Sequence, residues 1–239
     1  MFTLLSFPLM VIVYILAAAL PSILLMRYIY RQDTVEKEPM GLLMSLLFFG
    51  VVAAIVAGML EPIGQRLLSR MVLPGTDLHT VLLAFCVVAA IEEGVKFLFL
   101  KWRTWEDPNF NYRFDGIVYA VFLSLGFAAY ENLQYVLRYG FSVALPRAVL
   151  AVPGHLAFAV IMGLFYSRAK LAQTQEHEMF MTLDLWWAWV VAVLLHGFYD
   201  ACAMIGTPVA VGLFIIFVLF LYVLVYRLVK RESASDQPV

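Results

Sequence analysis

The chain has 239 residues, 64% of them hydrophobic and 14% charged, and its sixteen basic and seventeen acidic residues leave a formal charge of −1. A soluble domain of this size could not hide so much apolar side chain, and a disordered chain would be poor in it, so the composition reads as an integral membrane protein. No surplus of Lys and Arg is left for a phosphate backbone, which argues against nucleic-acid binding.

At a rise of 1.5 Å per residue, about twenty apolar residues cross a hydrocarbon core of about 30 Å. This predicts an all-α polytopic bundle of about seven spans, near 7–29, 40–61, 79–100, 116–137, 146–167, 185–204 and 208–227. They form a single transmembrane domain over 1–239, with a short cytoplasmic tail at 231–239 whose composition reads as solvated. No basic stretch precedes the first span, and Phe7 to Met26 is uncharged. That run is too long for the apolar part of a cleaved signal peptide, so it reads as a retained helix. Gly206-Thr207-Pro208 is a tight turn between the last two spans. Cys86 and Cys202 lie in apolar stretches, where thiols pack as small hydrophobes.

Flanking Lys and Arg resist translocation and so set orientation. One set of span ends carries Arg27, Arg31, Lys37, Lys101, Arg103, Arg113, Arg168, Lys170, Arg227, Lys230 and Arg231, eleven in all. The opposite ends carry four, Arg66, Arg70, Arg138 and Arg147, and Lys96 lies within a span. The imbalance predicts the N-terminus outside and the C-terminus in the cytoplasm.

Ionisable groups inside spans cost several kcal/mol each, so each needs a partner or a task. Span three carries Glu92-Glu93-Gly94-Val95-Lys96, span four Tyr130-Glu131-Asn132, span five Pro153-Gly154-His155, and span six His196-Gly197-Phe198-Tyr199-Asp200. Glu92 and Lys96 are four apart and share a helix face, whereas Glu93 points about 100° away and is expected to use Lys96 less well. The pair read alone could be a structural ion pair with Lys96 snorkelling to the interface. Two adjacent acids in low dielectric suit general acid–base chemistry. His196 and Asp200 also share a face, so the carboxylate can orient the imidazole or merely satisfy it. His155 follows a Pro-Gly break, and Glu131-Asn132 could simply bridge helices. Asp115, ahead of Gly116, reads as a helix cap, and Trp186, Trp187 and Trp189 read as an interfacial belt. Helical rise puts Glu92, Glu131, His155, His196 and Asp200 about 8–20 Å from the outer face, deep enough to form one polar cavity.

Carboxylates and imidazoles around a hydrated pocket suit activation of water for attack on an amide, with one glutamate as base. No Gly-x-Ser-x-Gly or His-Glu-x-x-His is present. A metal version remains open, with His155, His196 and Glu92 as an open three-ligand zinc site. A proton-coupled transporter using the same groups as a relay, and a non-enzymatic scaffold, are the other classes.

Glu92-Glu93-x-x-Lys96, Asp115-Gly116 with Gly126-Phe127-x-x-x-Glu131-Asn132, then His155, then His196-Gly197-x-x-Asp200 resemble the PrsW family of intramembrane proteases. That family is similar to the type II CAAX prenyl proteases, whose motifs are a Glu-Glu pair, Phe-x-x-x-His and His-x-x-x-Asn/Asp. Here Lys96 stands where those enzymes carry an arginine one residue later, and Glu131 replaces their second-motif histidine. The resemblance implies a glutamic-type protease of the bacterial cell membrane that makes the first, extracytoplasmic cut in a single-span anti-sigma factor. It also implies Glu92 and Glu93 as the catalytic pair, Glu92 as the water-activating base, His196 with Asp200 as its partner, and Glu131 and His155 in further roles. Lys96 and Asn132 would support them, and no cofactor is expected, with zinc the alternative.

Overall fold

A hydrocarbon environment offers no water to satisfy backbone N–H and C=O groups, so apolar runs of this length must fold as helices. The computed structural model describes residues 7–239, and the short lead at 1–6 lies outside the described residues. The elements are α1 (Phe7–Gln32), α2 (Met40–Met71), α3 (Asp77–Leu82), a π-helical segment (Leu83–Ala89), α4 (Ala90–Thr104), α5 (Arg113–Tyr139), a 3₁₀ turn (Phe141–Val143), α6 (Ala144–Val149), α7 (Ala151–Thr174), α8 (Glu178–Ile205) and α9 (Pro208–Ala234). The described residues contain no strand, only an isolated bridge between Tyr112 and Pro238. Six stretches are long and apolar enough to cross a membrane: Val11–Gln32, Met40–Met71, Arg113–Tyr139, Phe141–Thr174, Glu178–Ile205 and Pro208–Ala234. The composite of α3, the π segment and α4 supplies the remaining expected crossing, and its charges set it apart from the other six.

The expected third span is therefore not one regular helix. Seven residues from Leu83 to Ala89 take the wider π form directly before the Glu92-Glu93 pair. Such segments are costly and concentrate at functional sites. The room for it comes from α8. A Cβ on Gly197 would lie 2.4 Å from Cδ1 of Phe85, so only glycine lets the Phe85 ring sit against the helix next to His196. Pro153 does not break the backbone as expected. It falls in the first turn of α7, where a missing N–H removes no helical hydrogen bond.

Helix α5 is the centre of the bundle, buried over most of its length between α1, α2 and α7, and α8 packs on α7. Apolar residues cover the lipid-facing side of α9, α1 and α2, where Leu16, Phe48, Ile216 and Phe220 are exposed. Trp186 and Trp187 are exposed too, as a belt requires, but Trp189 turns inward and donates to the Ala90 carbonyl at 3.4 Å.

At the end of the bundle rich in Lys and Arg, hereafter the basic end, the last residues are docked on the start of α5 while Ser235, Gln237 and Pro238 stay exposed. Arg113 N donates to the Gln237 carbonyl at 3.0 Å and Val239 N to the Asn111 carbonyl at 2.9 Å. Asp236 Oδ1 accepts from Phe114 N at 2.9 Å, which satisfies a free N–H of the α5 first turn. Asp115 Oδ2 accepts from Tyr112 N at 2.6 Å and Asn111 N at 3.0 Å, the capping role its position suggested. Tyr119 donates to Glu38 beside it. Composition missed this docking because the tail's acids are polar by type and gain their partners only from the distant start of α5.

Candidate active site

Glu92 and Glu93 stand in the first turn of α4, just past the π segment, and Lys96 follows one turn later. Lys96 Nζ does not snorkel. It is sealed inside, 2.8 Å from Glu93 Oε1, 3.2 Å from Glu92 Oε2 and 3.2 Å from His155 Nδ1, and it lies 3.9 Å from the centre of the Phe127 ring. The shorter contact is with Glu93, against the sequence expectation. Residues three apart are helix neighbours as well as those four apart, so one ammonium can hold both acids. Three acceptors use all three ammonium protons.

His196, on α8, brings Nδ1 to 2.8 Å from Glu93 Oε1 and Nε2 to 3.4 Å from Asp200 Oδ2. A ring with a carboxylate at each nitrogen can donate from both only as the imidazolium. Its plane is fixed by Phe158, stacked at 4.9 Å with 17° between the rings. His155, on α7, is arranged differently. Its Nδ1 accepts from Lys96, so the proton sits on Nε2 and is donated to Glu131 Oε2 at 2.9 Å. Glu131 also meets Arg147 Nη2 at 3.0 Å. Thus α4, α5, α6, α7 and α8 each contribute to one continuous charged network.

A cavity of about 680 Å³ opens onto this network. Its walls include Glu92, Glu131, His155, His196 and Asp200, together with Phe127, Phe158 and Tyr199. They also include residues of α6, of the last turn of α8 and of the first turns of α9, which places the cavity in the half of the bundle away from the basic end. Glu93 is fully buried and does not reach the wall, and its Oε2 has no hydrogen-bond partner among the described residues. Asn132 is elsewhere: it donates to the Ala18 carbonyl at 3.0 Å and accepts from Arg147 Nε at 3.0 Å, tying α1 and α6 to α5. Asp115 is at the basic end, far from the cavity in the chain's path.

Two further charged residues line the cavity that the sequence reading had not assigned to it, Glu61 from α2 and Arg147 from α6. Glu61 ends an apolar run just ahead of Pro62 and looks like an ordinary interfacial acid. Arg147 entered only as a flanking charge. The signal that could have found them is position: both stand at the outer ends of the expected spans two and five, within about 8 Å of the level reached by Asp200 and Glu131.

A family model described as PrsW family intramembrane metalloprotease matches residues 38–226. Among curated proteins the chain is 31% identical to Protease PrsW of Clostridioides difficile over 214 residues, covering 87% of this chain and 86% of that one. It is 31% identical to Protease PrsW of Geobacillus kaustophilus over 184 residues, covering 77% and 76%, and 30% identical to that of Bacillus subtilis over 184 residues, covering 77% and 79%. No solved structure matches. With its membrane-spanning helices, this places the chain among the multi-pass bacterial membrane peptidases. It belongs to the PrsW family.

The family description implies a metal. Among the described residues the set that could converge on one is Glu92, Glu93 and His155, whose ligand atoms lie within 4.8 Å of one another. It holds Glu93 in place of the expected His196, whose nitrogens face the carboxylates of Glu93 and Asp200. The Lys96 ammonium touches the same three residues of the convergent set. A divalent ion there would meet a buried ammonium at contact distance; Glu93 Oε2 is open to it, but Glu92 Oε2, Glu93 Oε1 and His155 Nδ1 are taken, so with Lys96 in this position the residues present do not fit a resident metal.

Proposed function

We propose that this protein is a glutamate-dependent intramembrane endopeptidase that makes the first, extracytoplasmic cut in a single-span anti-sigma factor. The chain would lie with its N-terminus outside and its C-terminus in the cytoplasm, which turns the cavity toward the extracytoplasmic half of the bilayer. The substrate class rests on the family resemblance. The observation that supports the chemistry is the division of labour between two adjacent acids: Glu92 reaches the cavity, while Glu93 is sealed beneath it against Lys96 and His196.

In this reading Glu92 takes a proton from a cavity water as the water oxygen bonds to the carbonyl carbon of the scissile peptide. The carbonyl π pair moves onto oxygen, and the oxyanion accepts from His196 Nε2–H. That proton is held only by the long 3.4 Å contact to Asp200, so it can turn toward a closer acceptor. Glu93 holds the other side of the ring and keeps it charged. Collapse of the tetrahedral intermediate breaks the C–N bond, and Glu92 returns its proton to the leaving amine. Lys96 holds the two acids together, and the His155–Glu131–Arg147 chain fixes the opposite wall.

The test is cleavage of a purified single-span anti-sigma factor by the solubilised protein, wild type beside Glu92→Gln. Wild type should give one extracytoplasmic cut and Glu92→Gln should lower kcat by about 10²–10⁴-fold with its fold intact. Equal cleavage by both would remove Glu92 from the reaction.

A further inference from the structure

Every acid of the cavity network but one has a cation or an imidazole against it. Glu92 has Lys96, Glu131 has His155 and Arg147, and Asp200 has His196. Glu61 lines the same cavity and makes no hydrogen bond or ion pair among the described residues. Its height follows from packing. A Cβ on Gly64 would lie 2.8 Å from Val87 Cγ1 and 3.4 Å from Ile91 Cδ1, so α2 passes the junction of the π segment and α4 at that level. Glu61 is three residues earlier on α2, about 4.5 Å closer to the basic end. Because α4 descends toward that end, the shift brings Glu61 level with Glu92 across the cavity.

A carboxylate in a membrane-embedded cavity is costly while it lacks a counter-charge. The cations around the cavity are already engaged: Arg147 by Glu131 and Asn132, and over the Tyr135 ring at 3.8 Å, and Lys96 and His196, whose charges reach Glu61 only at a distance, by Glu92, Glu93 and Asp200. We propose that Glu61 is a specificity residue that binds the side chain of a Lys or Arg placed beside the scissile bond of the substrate polypeptide. It would be a subsite for a basic residue, formed by α2 and facing the reacting groups of α4. The inference rests on the protease reading and extends it to the substrate.

Three single-span peptides identical except for Lys, Gln or Glu at positions flanking the cut would be given to the full chain in lipid nanodiscs. Wild type should favour the Lys peptide over the Gln peptide by about tenfold in kcat/KM, mostly through KM, the scale of one charge-assisted hydrogen bond. Glu61→Gln should erase the preference without lowering kcat on the Gln peptide, Glu61→Asp should keep part of it, and Glu61→Lys should favour the Glu peptide. Equal use of all three peptides by wild type overturns the inference, as does a preference that survives in Glu61→Gln. A uniform fall in kcat for Glu61→Gln also overturns it, because the residue would then act in the chemistry. If wild type cuts no peptide and no anti-sigma factor either, it is the protease reading that fails.

Discussion

Lys96 Nζ and His155 Nδ1 lie 3.2 Å apart on different helices, although 59 residues separate them in the chain. An ammonium that also holds Glu92 and Glu93 is thereby tied to the helix across the cavity, and the two walls share one cation. Lys96→Met would leave two buried acids without it. The expected result is a loss of about 3–5 kcal/mol of stability, the usual scale for removing one partner of a buried pair, along with loss of cleavage. Thermal unfolding in detergent measures the first. A variant as stable as wild type would mean that both acids are held neutral.

The same ammonium bears on metal dependence. Cleavage by the purified protein should survive extended treatment with a strong zinc chelator, and elemental analysis should find less than one metal ion per chain. Chelation that abolishes cleavage, with zinc restoring it, would sink the metal-free mechanism and require Lys96 to swing away from Glu92, Glu93 and His155.

A pH effect on stability is expected at the basic end. Burial raises the Glu38 carboxyl from its ordinary 4.5 to about 7, and raises Asp33 from 3.8 to about 6. For Glu38, the folded and unfolded chains are both protonated below about 4.5, and the group is then neutral in its effect on stability. Above that the unfolded chain gives up its proton first, so stability declines until about pH 7, and the full cost persists beyond it. Asp33 has the same sign over its lower window. Glu38→Gln keeps an acceptor for Tyr119 and removes the titration. It should flatten the fall in melting temperature between about pH 5 and 8 and stabilise the protein above about pH 7. A slope unchanged by Glu38→Gln would assign the effect elsewhere.

Gly197→Ala tests the seat of the π segment. The added methyl would sit 2.4 Å from Phe85, and overpacking of this kind costs about 1–3 kcal/mol. Phe85→Leu in the same chain should recover most of it. If Gly197→Ala alone is as stable and active as wild type, the π segment is more compliant than its packing suggests.

The membrane class and the number of helices were legible because apolar run length is a local property, and so was the convergence of charged positions in spans three to six, which follows from rise per residue. What was hidden depended on partners remote in sequence. The reach of Lys96 to Glu93 was misjudged by weighing face angle over side-chain length. The inward turn of Trp189 depends on the Ala90 carbonyl, and the docking of Asp236 on the free N–H of Phe114, neither of which periodicity reveals. Glu61 and Arg147 are single charges at the margins of apolar runs, and only the cavity distinguishes them from ordinary interfacial residues.

The π segment also sets the phase of everything after it. Each residue turns an α-helix by about 100°, so the seven residues from Leu83 to Ala89 act as a spacer that decides which of the two acids meets the cavity. Relaxing all seven residues to regular helix would turn the face of α4 by roughly a third of a turn, because each residue of the wider π form turns the chain less than a residue of α-helix. Glu92 would leave the wall and the Glu93 side of the helix would move against different neighbours, with every side chain of the site still encoded. The π form and the seventh residue therefore go together: a chain one residue shorter here would present Glu92 correctly only as a regular helix.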